Sequence, residues 1–508
     1  MTDVILHITE SLDGIQQGLG KLMPELVLTA FFLMVVLIDL FPARSVKNLQ
    51  FMTVFGLLTT GALYVIAIAK PAYFVAPSFF LDLLKNDGIA FYAGMLFCLA
   101  GILTVFLSIF SETLQKRAEG HGEYYALLLA LTIGLNLLVK SQNLLMLFVS
   151  LELVSIASYL LTLSYRNRKE AVEAGLKYLM FGALASGIMV YGMSFLYGFT
   201  GSLQFTDVAF ANVLAQQHPV MVLVAVAMVV AGLLFKIAAA PFHFWAADVY
   251  EGAPTPIVAF FSAAPKIAGI VVLYRFASVF KSEAFFNRFP EIGLFLGGIA
   301  LVTLILGNFT ALRQLRARRM LAFSSVSHAG FLLVAVLAAG NFALNGLLFY
   351  LTVLLFTNFG IFLVIQLFEE RVGELTQMNA YSGLGRTYPF LSVMAVIFLV
   401  SLTGLPPTAG FNAKLFIFTA VWQTYQQAQE PLLIVLFATG LLFTAVAIFY
   451  YLRLPYYLFV KRNLTDQKIV IPIQEKLLLI GLGLPVLLFF FKADWLMNFI
   501  ETLILTQT

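Results

Sequence analysis

The sequence predicts an all-α, polytopic membrane protein of about fourteen transmembrane helices, and three observations carry that prediction. Of 508 residues, 61% are hydrophobic and only 11% are charged, and mean hydropathy is +0.95, a composition outside that of soluble domains. Apolar stretches of about 20 residues, the length that crosses a hydrocarbon core about 30 Å thick, recur along the chain with loop signals between them. Three lysines, Lys236, Lys266 and Lys414, lie inside such stretches. A cation at bilayer depth costs about 3 kcal/mol on insertion scales, so these residues are expected to face a protein interior and mark an ion path.

In chain order the spans read 24–42, 49–69, 89–111, 123–140, 144–165, 174–198, 220–240, 256–280, 292–312, 320–339, 343–368, 389–427, 431–455 and 475–491. The first follows a stretch, MTDVILHITESLDGIQQGLGKLMPE, with acids and no basic n-region, so no cleavable signal is read and this helix serves as the insertion signal. In the fifth, LLMLFVSLELVSIASYLL, Glu152 is the only ionisable residue; a carboxylate there needs a partner, and Lys236 is the candidate. The seventh carries Lys236 shortly before Pro241, with His243 just beyond, and the eighth carries Lys266 next to Pro265. The run RRMLAFSSVSHAGFLL, a motif that starts between the ninth and tenth and leads into the tenth, brings His328. The twelfth is too long for one straight span, and GLPP at 404–407 breaks it just before Lys414. Proline removes a donor and clashes with an earlier carbonyl, so the interrupted helices 7 and 12 free polar backbone that only water or protein satisfies. Burial and mutual attraction act on a Glu152–Lys236 pair in opposite senses, so a pair whose spacing changes is a proton switch. His243, flanked by Phe242 and Phe244, also reads as aromatic packing, Asp248 and Glu251 as loop residues, and the arginines of 313–319 as an anchor on the positive side.

Several function classes are excluded. The net charge of +4 is small and its basic residues are scattered between apolar runs, which argues against nucleic-acid binding. With one cysteine, Cys98, the chain cannot form an internal disulfide, an iron–sulfur cluster or a Cys-rich zinc site. There is no G-x-x-x-x-G-K-[ST] and no G-x-G-x-x-G joined to a strand, so neither ATP nor dinucleotide binding is expected. Odd-numbered loops hold sixteen basic residues, Arg44, Lys47, Lys116, Arg117, Arg166, Arg168, Lys169, Arg313, Arg316, Arg318, Arg319, Arg371, Arg386, Lys461, Arg462 and Lys468, and even-numbered loops hold five, Lys70, Lys85, Lys140, Lys281 and Arg288. That asymmetry places odd loops in the cytoplasm and both termini on the outer, periplasmic side.

The chain also repeats a pattern. AGLLFK at 231–236 and AGFNAK at 409–414 share A-G-x-x-x-K at an offset of 178. The same offset carries the fourth helix onto the ninth and the fifth onto the tenth. Two five-helix units related in this way are inverted in the membrane, a transporter signature. The expected organisation is 1–120 for helices 1–3, 121–285 for a first repeat of helices 4–8, 286–460 for a second of helices 9–13, and 461–508 for helix 14.

The runs LLFKIAAAPFHFWAADVYEGAPTPIVAFFSAAPKIAG at 233–269, RRMLAFSSVSHAGFLL at 318–333 and SLTGLPPTAGFNAKLFIF at 401–418 resemble the antiporter-like membrane subunits of respiratory complex I, and with the helix count the resemblance covers nearly the whole chain. Among the three related types it is most similar to the N type: the M type has glutamate where Lys414 stands, and the L type continues into a long lateral helix, for which nothing remains after residue 491. The resemblance implies that Glu152, Lys236, Lys266 and Lys414 form a polar axis along the membrane plane for protons, with His328 near the connection of two half-channels and His243 a weaker member. It implies a translocase subunit without redox chemistry of its own, in a bacterial inner membrane. FMN, iron–sulfur clusters and quinone would belong to the other membrane and peripheral subunits of the complex. A subunit of a multi-subunit cation/proton antiporter, which shares the core motifs, is the alternative.

Overall fold

The computed structural model describes residues 18–41, 45–80, 82–116, 120–165, 168–281, 289–338, 340–373, 375, 377–461 and 471–505. The stretch before residue 18, both termini, and Arg44, Arg117, Arg166, Arg288, Arg462 and Lys468 of the loop count lie outside the described residues. Among the described residues, twelve helices are long and apolar enough to cross a membrane. We label the helices α1 (Met23–Asp39), α2 (Val46–Ala69), α3 (Gly88–Phe110), α4 (His121–Lys140), α5 (Leu144–Thr162), α6 (Lys169–Thr200), α7 (Pro219–Lys236), α8 (Thr255–Ser278), α9 (Pro290–Arg313), α10 (Ala317–Leu337), α11 (Asn341–Val372), α12 (Ala409–Ala428), α13 (Pro431–Tyr451), α14 (Ile473–Phe491) and α15 (Ala493–Leu505). Short helices Phe244–Gly252 and Pro389–Thr403 stand after α7 and before α12, so the chain is interrupted at both expected places.

Local sequence sets the helix starts. Pro219, Pro290 and Pro431 occupy first-turn positions of α7, α9 and α13, where the missing N–H has no intrahelical acceptor to lose. Asp87 caps α3 by accepting from Ala90 N at 2.9 Å, and Asn143 caps α5 by accepting from Leu145 N at 2.8 Å. Asp87 is also held by Arg275 in the last turn of α8, through contacts of 2.8 and 2.6 Å, which ties α3 to α8. Nearly every residue of α8, α10 and α11 is buried, whereas α5 and α6 expose rows of large apolar residues, among them Leu145, Val149, Ile156 and Leu160 on α5. Three helices therefore form the inner layer, and the apolar rows face outward as lipid or a neighbouring apolar chain requires.

Three details add to or adjust the sequence-based expectations. The all-α fold carries one small addition, since Ala76–Phe79 (β1) and Leu84–Asn86 (β2) form an antiparallel hairpin between α2 and α3. Its Ala76, Phe79 and Leu84 pack with Leu22 and Leu137, and strands of three and four residues are too short to show a period. After residue 491 no long lateral helix is present among the described residues, but a short one, α15, follows Lys492 and buries Leu496, Ile500, Leu503 and Ile504, one stripe of a helix too short to span, beside α3, α11 and α14. Lys140, counted among the even-loop charges, is fully buried and paired with Glu25. Its removal leaves that side poorer still in basic residues.

Candidate proton path

At the first interruption, α7 stops at Lys236, Ala238 takes the left-handed region at φ 57°, and Pro241 carries no N–H. The freed groups are satisfied without the lysine. Ala239 N donates to Leu234 O at 2.9 Å, Ala240 N to Thr303 Oγ1 of α9 at 3.1 Å, and Trp245 Nε1 to Phe235 O at 3.2 Å. Lys236 Nζ instead donates to Ser155 Oγ of α5 at 3.4 Å, both side chains being buried. Glu152 is one turn away on α5 and half-buried, and its carboxylate accepts from Ser186 of α6. The direct Glu152–Lys236 ion pair expected from the sequence is not formed. Position 155 faces α7, whereas position 152, three residues back, sits at the margin of the buried face and turns to α6.

Lys266 lies on α8 immediately after Pro265, inside the helix, and its Nζ donates to both the carbonyl and the hydroxyl of Ser325 on α10, each at 2.5 Å. Tyr250, on the short helix after the break, donates to the same Ser325 hydroxyl at 3.0 Å. One turn further along α8, a Cβ at Gly269 would stand 3.8 Å from Lys236 Cβ. The α8 face that carries Lys266 is thus the one that meets Lys236.

The second interruption is built differently. The helix Pro389–Thr403 ends at Gly404, φ 85°, and leaves its last carbonyls without intrahelical donors. Lys414 Nζ donates to one of them, Thr403 O, at 2.8 Å, and stands 4.6 Å from the ring centre of Phe331. A cation at a helix C-terminus meets the negative end of the macrodipole. Gly404 makes room for it, since a Cβ there would lie 2.6 Å from Lys414 Cδ.

Helix α10 links Lys266 and Lys414. Ser325 holds Lys266, Phe331 faces Lys414, and His328 sits between them at three-residue spacing, so all three share one face over about 9 Å of helix. His328 is buried, with Nδ1 at 2.6 Å from Tyr350 Oη and Nε2 at 3.0 Å from Tyr451 Oη. Next to it, Ser327 accepts from Asn308 at 2.7 Å, and Tyr450 donates to Asn308 at 3.2 Å. The geometry therefore runs Glu152, Ser155, Lys236, Lys266, Ser325, His328, Phe331, Lys414. His243 packs on Phe244 and Phe323, and among the described residues its Nδ1 has no hydrogen-bond partner.

Sequence reasoning missed Ser155, Tyr250, Ser325, Tyr350 and Tyr451. A tyrosine hydroxyl in an apolar run signals that a partner is needed, and the SSVSH run signals polar contacts, but neither says which helix supplies them. Three of the four arginines of 313–319 are paired: Arg319 with Asp248 at 2.9 Å and Glu251 at 3.0 Å, Arg316 with Glu251, and Arg318 with Glu369, Nε to Oε1 at 2.9 Å. Asp248 and Glu251 are accordingly ion-pair partners of α10. Among the described residues no group of three or more His, Cys, Asp or Glu is placed to hold a metal.

Residues 141–444 match the family described as NADH:quinone oxidoreductase/Mrp antiporter, TM. The NADH-quinone oxidoreductase subunit N 2 of Chloroherpeton thalassium is 36% identical over 466 residues, which is 90% of this chain and 88% of that protein. A chain of respiratory complex I from Thermus thermophilus superposes with a TM-score of 0.76 at 28% identity, over 94% of this chain and 99% of that one. A chain of the Mrp complex from Dietzia sp. superposes with a TM-score of 0.80 at 20% identity, over 96% and 97%, a likeness of fold.

Proposed function

The chain belongs to the family of NADH:quinone oxidoreductase and Mrp antiporter membrane subunits, and from that membership we propose that it is the N-type proton-translocating subunit of a respiratory NADH:quinone oxidoreductase. The observation that carries the reading is the row of three buried lysines on neighbouring helices, opened by Glu152 and joined along one face of α10 through His328. Each ammonium rests on oxygens or an aromatic face and not on a carboxylate, so its proton is held by weak, exchangeable contacts. Hydroxyls at Ser155, Ser325, Tyr350 and Tyr451 supply donors and acceptors between the charged groups.

In this reading the units 121–285 and 286–460 are inverted half-channels joined through Lys266, flanked by 1–120 and 461–508. The chain does no redox chemistry. Electrons pass from NADH to quinone in partner subunits that carry FMN and iron–sulfur clusters, and the signal from that transfer changes the Glu152–Lys236 spacing. Moving one charge against 100 mV costs about 2.3 kcal/mol, which the signal must exceed. The bias of basic residues toward odd-numbered loops supports a bacterial inner-membrane location with both termini on the periplasmic side.

Lys236→Ala and Glu152→Ala in the assembled enzyme, with protons pumped measured against quinone reduced, test the assignment. Both are expected to lower that ratio; unchanged coupling in both overturns it. The fold likeness to an Mrp chain carries a second reading, a cation/proton antiporter subunit. Sodium-dependent proton flux from a complex without a flavin and iron–sulfur arm would favour it.

A further inference from the structure

A second buried ion pair lies outside the lysine row. Lys140, the last residue of α4, stands 2.5 Å from Glu25 Oε1 in the first turn of α1, and the side chains are 0% and 4% exposed. Tyr64 of α2 donates to the same oxygen at 2.7 Å, and its ring lies 5.4 Å from Lys140 Nζ. Oε1 takes both contacts, and among the described residues Glu25 Oε2 has no hydrogen-bond partner. One turn below Lys140 on the same face of α4, Asn136 is fully buried and neither its Oδ1 nor its Nδ2 has one. From α3, Phe91 and Cys98 complete the wall with Tyr64. The β1–β2 hairpin closes the end, where Asn86 donates to Lys21 O at 2.9 Å and its Oδ1 is again without a protein partner.

Buried polar atoms are almost always satisfied by protein or by ordered water. One such atom on Glu25 and two on Asn136, one helical turn from Lys140, with a fourth on Asn86 of the hairpin, make a polar setting at the end of a helix in which internal water is retained. Toward the other side of the membrane, Thr132 of α4 and Thr60 of α2 are fully buried, and beyond them Leu57 of α2 and Leu128 and Leu129 of α4 are fully buried and apolar. A permanent structural pair would have its remaining oxygen and the neighbouring amide satisfied by protein.

We propose that Glu25, Lys140 and Asn136 form a hydrated proton-binding site beneath the hairpin, separate from the lysine row. One proton from water held in the site adds to the Glu25 carboxylate, taking the pair from net charge zero to +1, and its departure restores the pair. The site stands on these contacts alone; only its coupling to turnover would rest on the proton-translocation reading.

Infrared difference spectra of the whole purified complex, recorded on stepping the pH without turnover, test the binding apart from pumping. A protonated carboxyl band that shifts in heavy water is expected in the wild type. It should be absent from the charge-balanced Glu25→Gln/Lys140→Met variant, and in Asn136→Leu, which replaces the amide with an apolar side chain, its exchange should slow at least about tenfold. Wild-type spectra without an exchangeable carboxyl band, or Asn136→Leu exchange equal to wild type, overturn the proposal. Should the double variant not assemble, ordered-water density beside Glu25 Oε2 and Asn136 in a cryo-electron microscopy map of the wild-type complex decides: its presence supports the site and its absence overturns it.

Discussion

Lys236 and Lys414 occupy the same place in the repeated A-G-x-x-x-K pattern, yet the two interruptions hold them by different chemistry. Lys236 precedes its break, whose backbone is satisfied by Leu234, Thr303 and Trp245, and so it touches only a serine hydroxyl with Glu152 one turn away. Lys414 follows its break and completes it by donating to Thr403 O, with Phe331 behind and, among the described residues, no ion-pair partner. The first lysine is held loosely near a half-buried carboxylate that another helix also engages. The second is part of the structure that positions it. A buried cation therefore does not need its counter-ion in contact, since a hydroxyl or a helix-end dipole supports it.

The largest expected effect comes from a pair that serves as the static control for Glu152. Asp87→Asn leaves the Arg275 guanidinium buried without its partner, and breaking such a pair costs about 3 to 5 kcal/mol. Thermal unfolding should show the loss while pumping per quinone in the assembled enzyme stays at the wild-type ratio. Burial alone would raise the Asp87 carboxyl, but Arg275 outweighs it and holds the group below the ordinary carboxylate range. Its stabilisation is thus complete above the unfolded pKa of about 4 and is lost as pH falls through the lower folded value. The variant should be less sensitive to acid than the wild type. Equal stability at neutral pH would show that this pair is no fixed tie.

Next, Lys414→Met and Lys236→Met separate the two interruptions directly. The first strips Thr403 O of its donor and should cost about 1 to 3 kcal/mol, whereas the second leaves only a serine hydroxyl and should be nearly neutral. Matching melting temperatures for the two would erase the distinction. The smallest effect belongs to Ser155→Ala, worth less than about 1.5 kcal/mol for one neutral hydrogen bond. It should shift the pH profile of pumping while leaving stability almost untouched; an unaltered profile would remove Ser155 from the path.

Some of this was legible in the residues themselves. Apolar length fixed where helices run, since backbone in hydrocarbon has no other partner than its own, and GLPP and Pro241 marked the interruptions, because proline cannot continue the ladder. Lys236, Lys266, Lys414 and Glu152 announced themselves by cost, as lone charges in apolar runs. What only the tertiary structure decided is which groups meet. Ser155 in place of Glu152 beside Lys236, Ser325 against Lys266, and the Tyr350 and Tyr451 hydroxyls on His328 are contacts between helices, set by packing across tens to hundreds of residues that no local period encodes. Glu25 and Lys140 show the same limit most sharply: each stands at the end of a span, where a charge reads as a loop residue, and only the apposition of α1 and α4 beneath the hairpin takes both away from water.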